Sequence, residues 1–194
     1  MQNEGLSIGL FGGSFNPAHA GHMHVAKCGL NRLRLDRIWW MVSPQNPLKD
    51  KQPSYDSRVA TVDALGLPFQ MRISHMERDF GTQYTIDTLK QARRRWPQTN
   101  FVFLMGADNF AQLPLWKDWQ GIMKTLPVAV IARPSKSGSL SIKPRLGRAA
   151  RTYAQSRIPE NAADTLKYQT APAWTYLTPP LNSLSSTRLR ALKS

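Results

Sequence analysis

Short apolar runs alternate with segments of helical spacing along most of the chain. Strand-like runs occur at 7–11 (SIGLF), 38–42 (IWWMV), 71–74 (MRIS), 101–106 (FVFLMG), 128–132 (VAVIA) and 173–178 (AWTYLT). Helical spacing is found at 22–35, 57–65, 84–96 and 146–154, and hydroxyl side chains precede a further helical segment at 185–193. Because strands alternate with helices, the pattern predicts an α/β fold built on a parallel sheet.

This fold class indicates where functional residues should lie. In open parallel sheets, ligands bind beyond the carboxyl ends of the strands, at the point where the strand order reverses. The segments that directly follow strands are therefore the first candidates. With 194 residues and no internal repeat or linker, the chain is predicted to form a single domain, which includes a basic and less regular segment at about 134–170.

The net charge of +14 favours anionic partners such as nucleotides, nucleic acid or anionic lipid. No acidic residue lies between Asp118 and Glu160, whereas arginine and lysine recur there. An RNA-binding module that uses the basic region at 119–159 is therefore an alternative. Tyr153 is the one aromatic residue between 134 and 157, which argues against a base-stacking platform. A solvated basic surface is favoured instead, and no nucleic acid partner is expected.

Membrane and disulfide-stabilised classes fit the sequence poorly. No apolar run approaches the ~20 residues that cross a bilayer, so no membrane partner is expected. The first residues, MQNEGLSIGLFGG, lack the basic and long apolar regions of a signal peptide. Cys28 is the only cysteine, which excludes an internal disulfide and a four-cysteine zinc site. These features predict a cytoplasmic protein.

The segment 12–24, GGSFNPAHAGHMH, carries the first candidate site, after a strand and before a helix. Gly12 and Gly13 allow close backbone approach and backbone angles that other residues avoid. His19 and His22 face one way if the helix begins near Ala20. A helix start offers N–H groups and partial positive charge, which suit phosphate. The segment is neither a Walker A loop nor the GxGxxG fingerprint.

A metal site is the competing interpretation of the histidines, and an isolated His-x-x-His is more often structural than catalytic. His24 could supply a third ligand, but no carboxylate lies nearby in sequence. Catalytic zinc generally needs three protein ligands. The double glycine after a strand favours phosphate binding, and no protein-held metal is predicted.

The segment 184–190, LSSTRLR, is a second candidate for phosphate binding. Ser185, Ser186 and Thr187 can cap a helix, and Arg190 follows one turn later. Hydroxyls at a helix start followed by arginine also form a phosphate cradle. By itself this segment does not separate the two roles.

Together the two segments resemble the nucleotidyltransferase superfamily with the (H/T)xGH and SSTxxR motifs. Between them, four segments are similar to nicotinate-nucleotide adenylyltransferase: GTQYTIDTL at 81–89, FLMGADNFAQLPLW at 103–116, NPLK at 46–49 and IARP at 131–134. The resemblance covers 7–134 and 173–191. Leu48 and Gln83 depart from common family residues, and four residues follow Arg190 where many members continue further.

The resemblance implies a Rossmann-like parallel sheet of five or six strands with helices on both faces. It also implies a step of NAD biosynthesis, in which AMP passes from ATP to nicotinate mononucleotide and gives nicotinate adenine dinucleotide and pyrophosphate. The phosphate of the mononucleotide would attack directly, so no side-chain nucleophile is needed. Mg²⁺ would bind mainly to phosphates, and the protein would be a monomer or small homo-oligomer.

Site residues follow from the same resemblance. Four are implied to be catalytic: His19, His22, Lys49 and Arg190. ATP would contact Gly12, Gly13, Ser14, Phe15, His19, His22, Gly106, Asp108, Ser185, Ser186, Thr187 and Arg190. The mononucleotide would contact Lys49, Tyr84, Thr85, Trp116 and Arg133. Asp108 could instead be a helix N-cap, and Trp116 could instead pack in the core.

Two further alternatives stay within the same enzyme class. One is a sister transferase that acts on phosphopantetheine or another phosphate ester, against which Tyr84, Thr85 and Trp116 argue. The other is the same reaction with a preference for the amide, nicotinamide mononucleotide.

Overall fold

A seven-stranded parallel sheet is the framework of the computed structural model, which describes residues 5–44, 52–132, 145 and 147–178. Its strands are β1 (Ser7–Gly13), β2 (Arg37–Val42), β3 (Met71–Ser74), β4 (Asn100–Gly106), β5 (Val128–Ile131), β6 (Arg157–Ile158) and β7 (Trp174–Leu177). They lie in the order β3-β2-β1-β4-β5-β7-β6. The predicted parallel α/β fold is confirmed. The expected number of five or six strands was wrong. The strand that the sequence pattern missed is β6, which has only two residues and therefore too few positions to show a period.

Helices connect the strands. They are α1 (Ala20–Arg32), α2 (Tyr55–Asp63), α3 (Met76–Asp79), α4 (Thr85–Arg95), α5 (Ala107–Gln112), α6 (Trp119–Thr125) and α7 (Arg148–Thr152). Short 3₁₀ helices occupy Leu113–Leu115, Ala154–Ser156 and Glu160–Tyr168. The helices predicted at 22–35, 57–65 and 84–96 are α1, α2 and α4 with shifted ends. The helix predicted at 185–193 lies outside the described residues.

Alternate strand side chains enter two separate cores, one on each face of the sheet. On β2, Trp39 and Met41 join the cluster that contains α4, α5 and α6. Ile38 and Trp40 join the cluster that contains α1 and α2 on the other face. The period of two along a strand thus buries both faces of the sheet, and the prediction of helices on both faces is confirmed.

The strand order reverses between β1 and β4, since β2 and β3 lie on one side of this pair and β5 lies on the other. Two glycines bring α1 close to the sheet here. A Cβ atom on Gly29 would lie 2.9 Å from Leu104, and one on Gly9 would lie 2.7 Å from the same side chain. Close packing therefore holds α1 against the sheet beside the reversal point, and the helix begins after the carboxyl end of β1, the edge where ligands bind in such sheets.

Cys28, on α1, is buried beside this contact. Burial raises the pKa of its thiol to about 11, although the charge of Arg32 acts in the opposite direction. The thiol is therefore protonated at neutral pH and poorly reactive in the native protein.

The segment predicted as basic and less regular contributes α7, β6 and two 3₁₀ helices in its described part. The Glu160 carboxylate accepts hydrogen bonds from the Thr178 backbone N–H at 2.9 Å and from Arg32 at 3.1 Å. Trp174 Nε1 donates to the Tyr153 carbonyl at 2.7 Å. This segment is therefore attached to α1 and β7. Over the described ranges, no helix combines the length and apolar character needed to span a bilayer.

Candidate active site

A cleft of about 330 Å³ opens at the carboxyl ends of β1 and β2, next to the reversal in strand order. Its walls come mainly from the last residues of β1 and Ser14, from the start of α4 and from the segment after α5. The lining residues are Gly12, Gly13, Ser14, Met41, Ser43, Glu77, Gln83, Tyr84, Thr85, Phe103, Asn109, Leu115, Trp116, Lys117 and Ile122.

The cleft brings together residues that the sequence assigned to two different substrates. Three lining residues were predicted to contact ATP, namely Gly12, Gly13 and Ser14, and three were predicted to contact the mononucleotide, namely Tyr84, Thr85 and Trp116. Five others, Phe15, His19, His22, Gly106 and Asp108, are described but do not line it. The remaining six lie outside the described residues: Lys49, Arg133, Ser185, Ser186, Thr187 and Arg190.

The role first given to Gly12 and Gly13 needs a correction. Neither glycine has a positive φ, so unusual backbone angles do not explain them. Glycine is required at these positions because there is little room for a side chain. A Cβ atom on Gly12 would lie 3.2 Å from the Phe103 ring, and one on Gly13 would lie 3.0 Å from the Phe15 ring. The left-handed residue of this loop is Phe15 itself, with φ 44°.

Phe15 anchors the loop in the core. Its ring centroid lies 5.4 Å from that of Phe11, 5.2 Å from that of Trp40 and 5.1 Å from that of His22. Burial of this aromatic group holds the left-handed backbone in place. Because the ring packs inward, the Phe15 contact with ATP that the resemblance implies would have to come from its backbone.

His19 and His22 form a reciprocal cap at the start of α1. His19 Nδ1 accepts a hydrogen bond from the Gly21 backbone N–H at 3.0 Å, and His22 Nδ1 accepts one from the His19 backbone N–H at 3.3 Å. The ring centroids lie 3.9 Å apart. The helix begins at Ala20, as the shared orientation required. Since each Nδ1 is an acceptor, each neutral ring carries its proton on Nε2 and keeps that group as a donor.

The structure gives no support to a metal site at these histidines among the residues that it describes. Within the described ranges, no group of three histidine, cysteine, aspartate or glutamate side chains is arranged to hold a metal ion. His19, His22 and His24 therefore do not form such a group.

Asp108 does not cap a helix. Gly106, at the end of β4, is the N-cap of α5, and Asp108 lies exposed in the first turn of that helix. The alternative N-cap role is therefore wrong, and a contact with the ATP ribose stays a prediction.

The start of α4 forms the opposite wall of the cleft. Tyr84 is the N-cap, and no side chain caps this helix among the residues that the structure describes. Lys117 Nζ lies 4.1 Å from the centroid of the Tyr84 ring and 3.7 Å from an Asp87 carboxylate oxygen. Trp116 is half-buried, packs against the core and also lines the cleft, so its two proposed roles are compatible.

Glu77 is a lining residue that the sequence analysis missed. It is 7% exposed, and no described group forms a hydrogen bond with its Oε2 atom. Burial raises the pKa of its carboxyl group to about 7, although the charge of Arg58 lowers it. Glu77 lies in the four-residue helix α3, which is too short for a periodic pattern. Its only sequence signal was its position shortly before Tyr84 and Thr85.

Comparisons with known proteins show the family of this chain. Residues 10–192 match the family model described as Cytidylyltransferase-like. The probable nicotinate-nucleotide adenylyltransferase of a Caulobacter species is 49% identical over 187 residues, which cover 95% of this chain and 97% of the relative. A probable nicotinate-nucleotide adenylyltransferase of Methylorubrum extorquens is 46% identical, with 95% and 99% covered. The chain belongs to the nicotinate-nucleotide adenylyltransferase family.

Solved structures of this family share the fold. The nicotinic acid mononucleotide adenylyltransferase of Plasmodium falciparum, complexed with APC, matches with a TM-score of 0.68 at 16% identity, over 96% of this chain and 83% of that one. The same enzyme complexed with NaAD matches with a TM-score of 0.68 at 17% identity. The resemblance to nicotinate-nucleotide adenylyltransferase is thus confirmed, and the chain is a nucleotidyltransferase with a Rossmann-like fold.

Proposed function

We propose that this protein transfers AMP from ATP to nicotinate mononucleotide in the biosynthesis of NAD. The observation that carries the proposal is the cleft that brings the segment Gly12–Ser14, at the end of β1, together with the start of α4 and Trp116. The first wall offers a surface for phosphates, and the second offers an aromatic ring beside a helix start. The relatives in the same family carry this activity in their names.

The reaction needs no nucleophilic side chain. An oxygen of the mononucleotide phosphate attacks the α-phosphorus of ATP and forms a new P–O bond. The bond from that phosphorus to the bridging oxygen breaks, and pyrophosphate leaves with the electron pair. The protein would position the reactants and stabilise negative charge in the transition state.

His19 and His22 would stabilise that charge through their Nε2–H groups. Their Nδ1 atoms are held by backbone N–H groups, which fixes the ring orientations before substrate arrives. Donors fixed in this way do not need to reorganise during the reaction. We assign His22 to the α-phosphate and His19 to ATP binding.

The pyridine ring would bind on the α4 side of the cleft. Trp116 would stack on the ring, while backbone N–H groups at the start of α4, near Tyr84 and Thr85, would meet the carboxylate. A helix start without a side-chain cap suits an anionic group. This pairing would favour nicotinate mononucleotide over the amide, whose NH₂ group would face other donors.

Other roles follow from the family resemblance alone. Lys49 and Arg190 would bind phosphate oxygens, the start of the helix at Ser185–Thr187 would receive pyrophosphate, and Arg133 would contact the mononucleotide. Mg²⁺ would bind chiefly to the ATP phosphates and water. The nucleotide substrates and the lone cysteine fit a cytoplasmic enzyme.

The test is dinucleotide formation by the purified protein with Mg²⁺, each mononucleotide, and either ATP or CTP. We expect nicotinate adenine dinucleotide and pyrophosphate in equal amounts, with ATP preferred over CTP. No product from either mononucleotide would refute the proposal. A parallel reaction with phosphopantetheine and ATP tests the sister activity, and product there instead would assign the protein to it.

A further inference from the structure

A buried arginine on α2 joins the backbone segments that form one wall of the cleft. Arg58 is only 1% exposed, although arginine is rarely buried without a specific partner. Its guanidinium group donates three hydrogen bonds, from Nη1 to the Ser14 carbonyl at 2.9 Å, from Nη2 to the Pro44 carbonyl at 2.7 Å and from Nε to the Pro53 carbonyl at 3.1 Å.

These three carbonyls come from loops. Ser14 follows β1, Pro44 follows β2 and Pro53 precedes α2, so no strand or helix ladder fixes them. Ser14 and Ser43, the neighbour of Pro44, both line the cleft. One planar group therefore sets the relative position of two adjacent strand ends at the site where phosphates are proposed to bind.

Thr61, three residues later on the same helix, holds the next part of the loop. Its Oγ1 accepts a hydrogen bond from the Ala18 backbone N–H at 3.0 Å, and Ala18 directly precedes His19. The same hydroxyl lies 3.4 Å from the Phe15 carbonyl. Arg58 and Thr61 thus hold both ends of the segment from Ser14 to Ala18.

The partners of Arg58 leave its positive charge largely uncompensated. All three acceptors are neutral carbonyl groups, and no ion pair to Arg58 occurs among the described residues. Two acidic groups among the described residues interact with its charge, the Tyr55 hydroxyl and the Glu77 carboxyl group. Burial keeps the Glu77 carboxyl group partly protonated near neutral pH. A buried cation that is hydrogen-bonded to a residue of the cleft lining attracts polyanions more strongly than a cation in water.

We propose that Arg58 is a positioning residue for adenylyl transfer, which holds the backbone after β1 and β2 in the conformation that receives the phosphates of ATP. Thr61 completes this role on the approach to His19. The inference rests on the proposed function, because its effect is measured with ATP as substrate. It predicts that geometry as well as charge is required, since an ammonium group cannot replace a planar fork that binds three carbonyls.

The test compares Arg58→Met and Arg58→Lys with the wild type in steady-state assays corrected for the folded fraction. For Arg58→Met we expect kcat/KM for ATP to fall at least 100-fold, with a rise in the KM for ATP larger than that for the mononucleotide. Arg58→Lys keeps the charge, but its kcat/KM for ATP should still fall at least tenfold. Trp174→Phe is the matched control, because it removes a buried hydrogen bond at the amino end of β7, away from the cleft.

Thr61→Val and Thr61→Ser keep the test decisive if Arg58→Met does not fold. Serine retains the hydroxyl and should preserve the wild-type constants, whereas valine should raise the KM for ATP several-fold. Arg58→Met that folds with constants within threefold of wild type overturns the proposal, and so do identical constants for the two Thr61 variants. An inactive wild type would instead contradict the proposed function.

Discussion

Helix α1 follows the Gly12–Ser14 wall of the cleft and helix α4 begins in the opposite wall, but the first backbone N–H groups of the two helices have different partners. At α1, the side chains of His19 and His22 accept hydrogen bonds from backbone N–H groups and close the helix start. At α4, Tyr84 occupies the N-cap position without capping through its side chain. The first start is satisfied internally, whereas the second is open to a ligand.

The difference separates two ways of binding an anion. At α1 the donors offered to substrate would be imidazole Nε2–H groups, whose directions are fixed by the cap. At α4 they would be the backbone N–H groups themselves, which have no intrahelical partner in the first turn. Directed side-chain donors suit a phosphate whose charge changes during reaction, and a helix start suits a carboxylate whose charge stays constant.

The largest effect should come from replacing His22 by asparagine. The asparagine oxygen can accept the backbone hydrogen bond that Nδ1 accepts now, but no donor remains at the place of Nε2. We expect kcat to fall about 10²–10³-fold, as for the loss of one fixed transition-state donor. The free energy of unfolding should change by no more than about 1 kcal/mol, because the capping interaction is retained.

Steady-state kinetics and urea unfolding measure both quantities. His19→Asn should behave in the same way, with a larger share of the loss in the KM for ATP. His24→Asn, on the same helix but outside its cap, is the control. A His22→Asn enzyme within threefold of wild type would remove that imidazole from the mechanism.

These histidines show what could be predicted from sequence. Their spacing and their place after an apolar run predicted a shared face at a helix start, and the structure has the helix begin at Ala20. Such features depend on near neighbours in the chain. The contact of Arg58 with Ser14 joins residues 44 apart, and Glu77 enters the cleft through a helix of four residues. No local pattern encodes either position, because both depend on how distant segments pack.

A second effect concerns Glu77, on the α4 side of the cleft. Burial raises the pKa of this carboxyl group from 4.5 to about 7 in the folded protein. The stability that it contributes is therefore complete below pH 4.5 and is lost as the pH rises to about 7. At 1.36 kcal/mol per pKa unit, the loss is about 3 kcal/mol.

Glu77→Gln should remove this loss. Urea unfolding at about pH 4.5 and about pH 8 should show similar stabilities for wild type and variant at the lower pH, and a more stable variant at the higher pH. An equal difference between the two proteins at both values would contradict the titration of Glu77 over this range.

A third variant tests whether backbone N–H groups of α4 bind the carboxylate. Thr85 is the first residue of the helix, where proline is tolerated, and the extended backbone of Tyr84 is compatible with a following proline. Thr85→Pro deletes one N–H group and should lower kcat/KM for nicotinate mononucleotide by about 10–100-fold, the range for a hydrogen bond to a charged group.

The amide substrate distinguishes this effect from general damage. Its kcat/KM should fall less, so that the preference for the acid shrinks. Thr85→Val removes only the hydroxyl and is the matched control. If Thr85→Pro lowers kcat/KM equally for both substrates while Thr85→Val leaves both values unchanged, the N–H group does not select the carboxylate.

The smallest effect should come from Trp116, which contacts the pyridine ring in either substrate. Trp116→Ala should raise the KM for both mononucleotides about tenfold, consistent with the loss of roughly 0.5–1.5 kcal/mol of stacking together with buried area. The ratio of the two kcat/KM values should stay within about twofold. An unchanged KM would assign this side chain to the core alone.

Cys28 provides helix α1 with a built-in reporter of local opening. It is the only thiol in the chain, and it is buried in the helix whose start is capped by His19 and His22. Its raised pKa makes the thiol poorly reactive while the helix stays packed. A thiol reagent can therefore modify it only in molecules whose α1 has separated from the sheet. When such openings close faster than the reagent reacts, the labelling rate tracks their equilibrium population. Labelling with and without ATP would thus measure, in the unmutated protein, how strongly the nucleotide holds this helix in place.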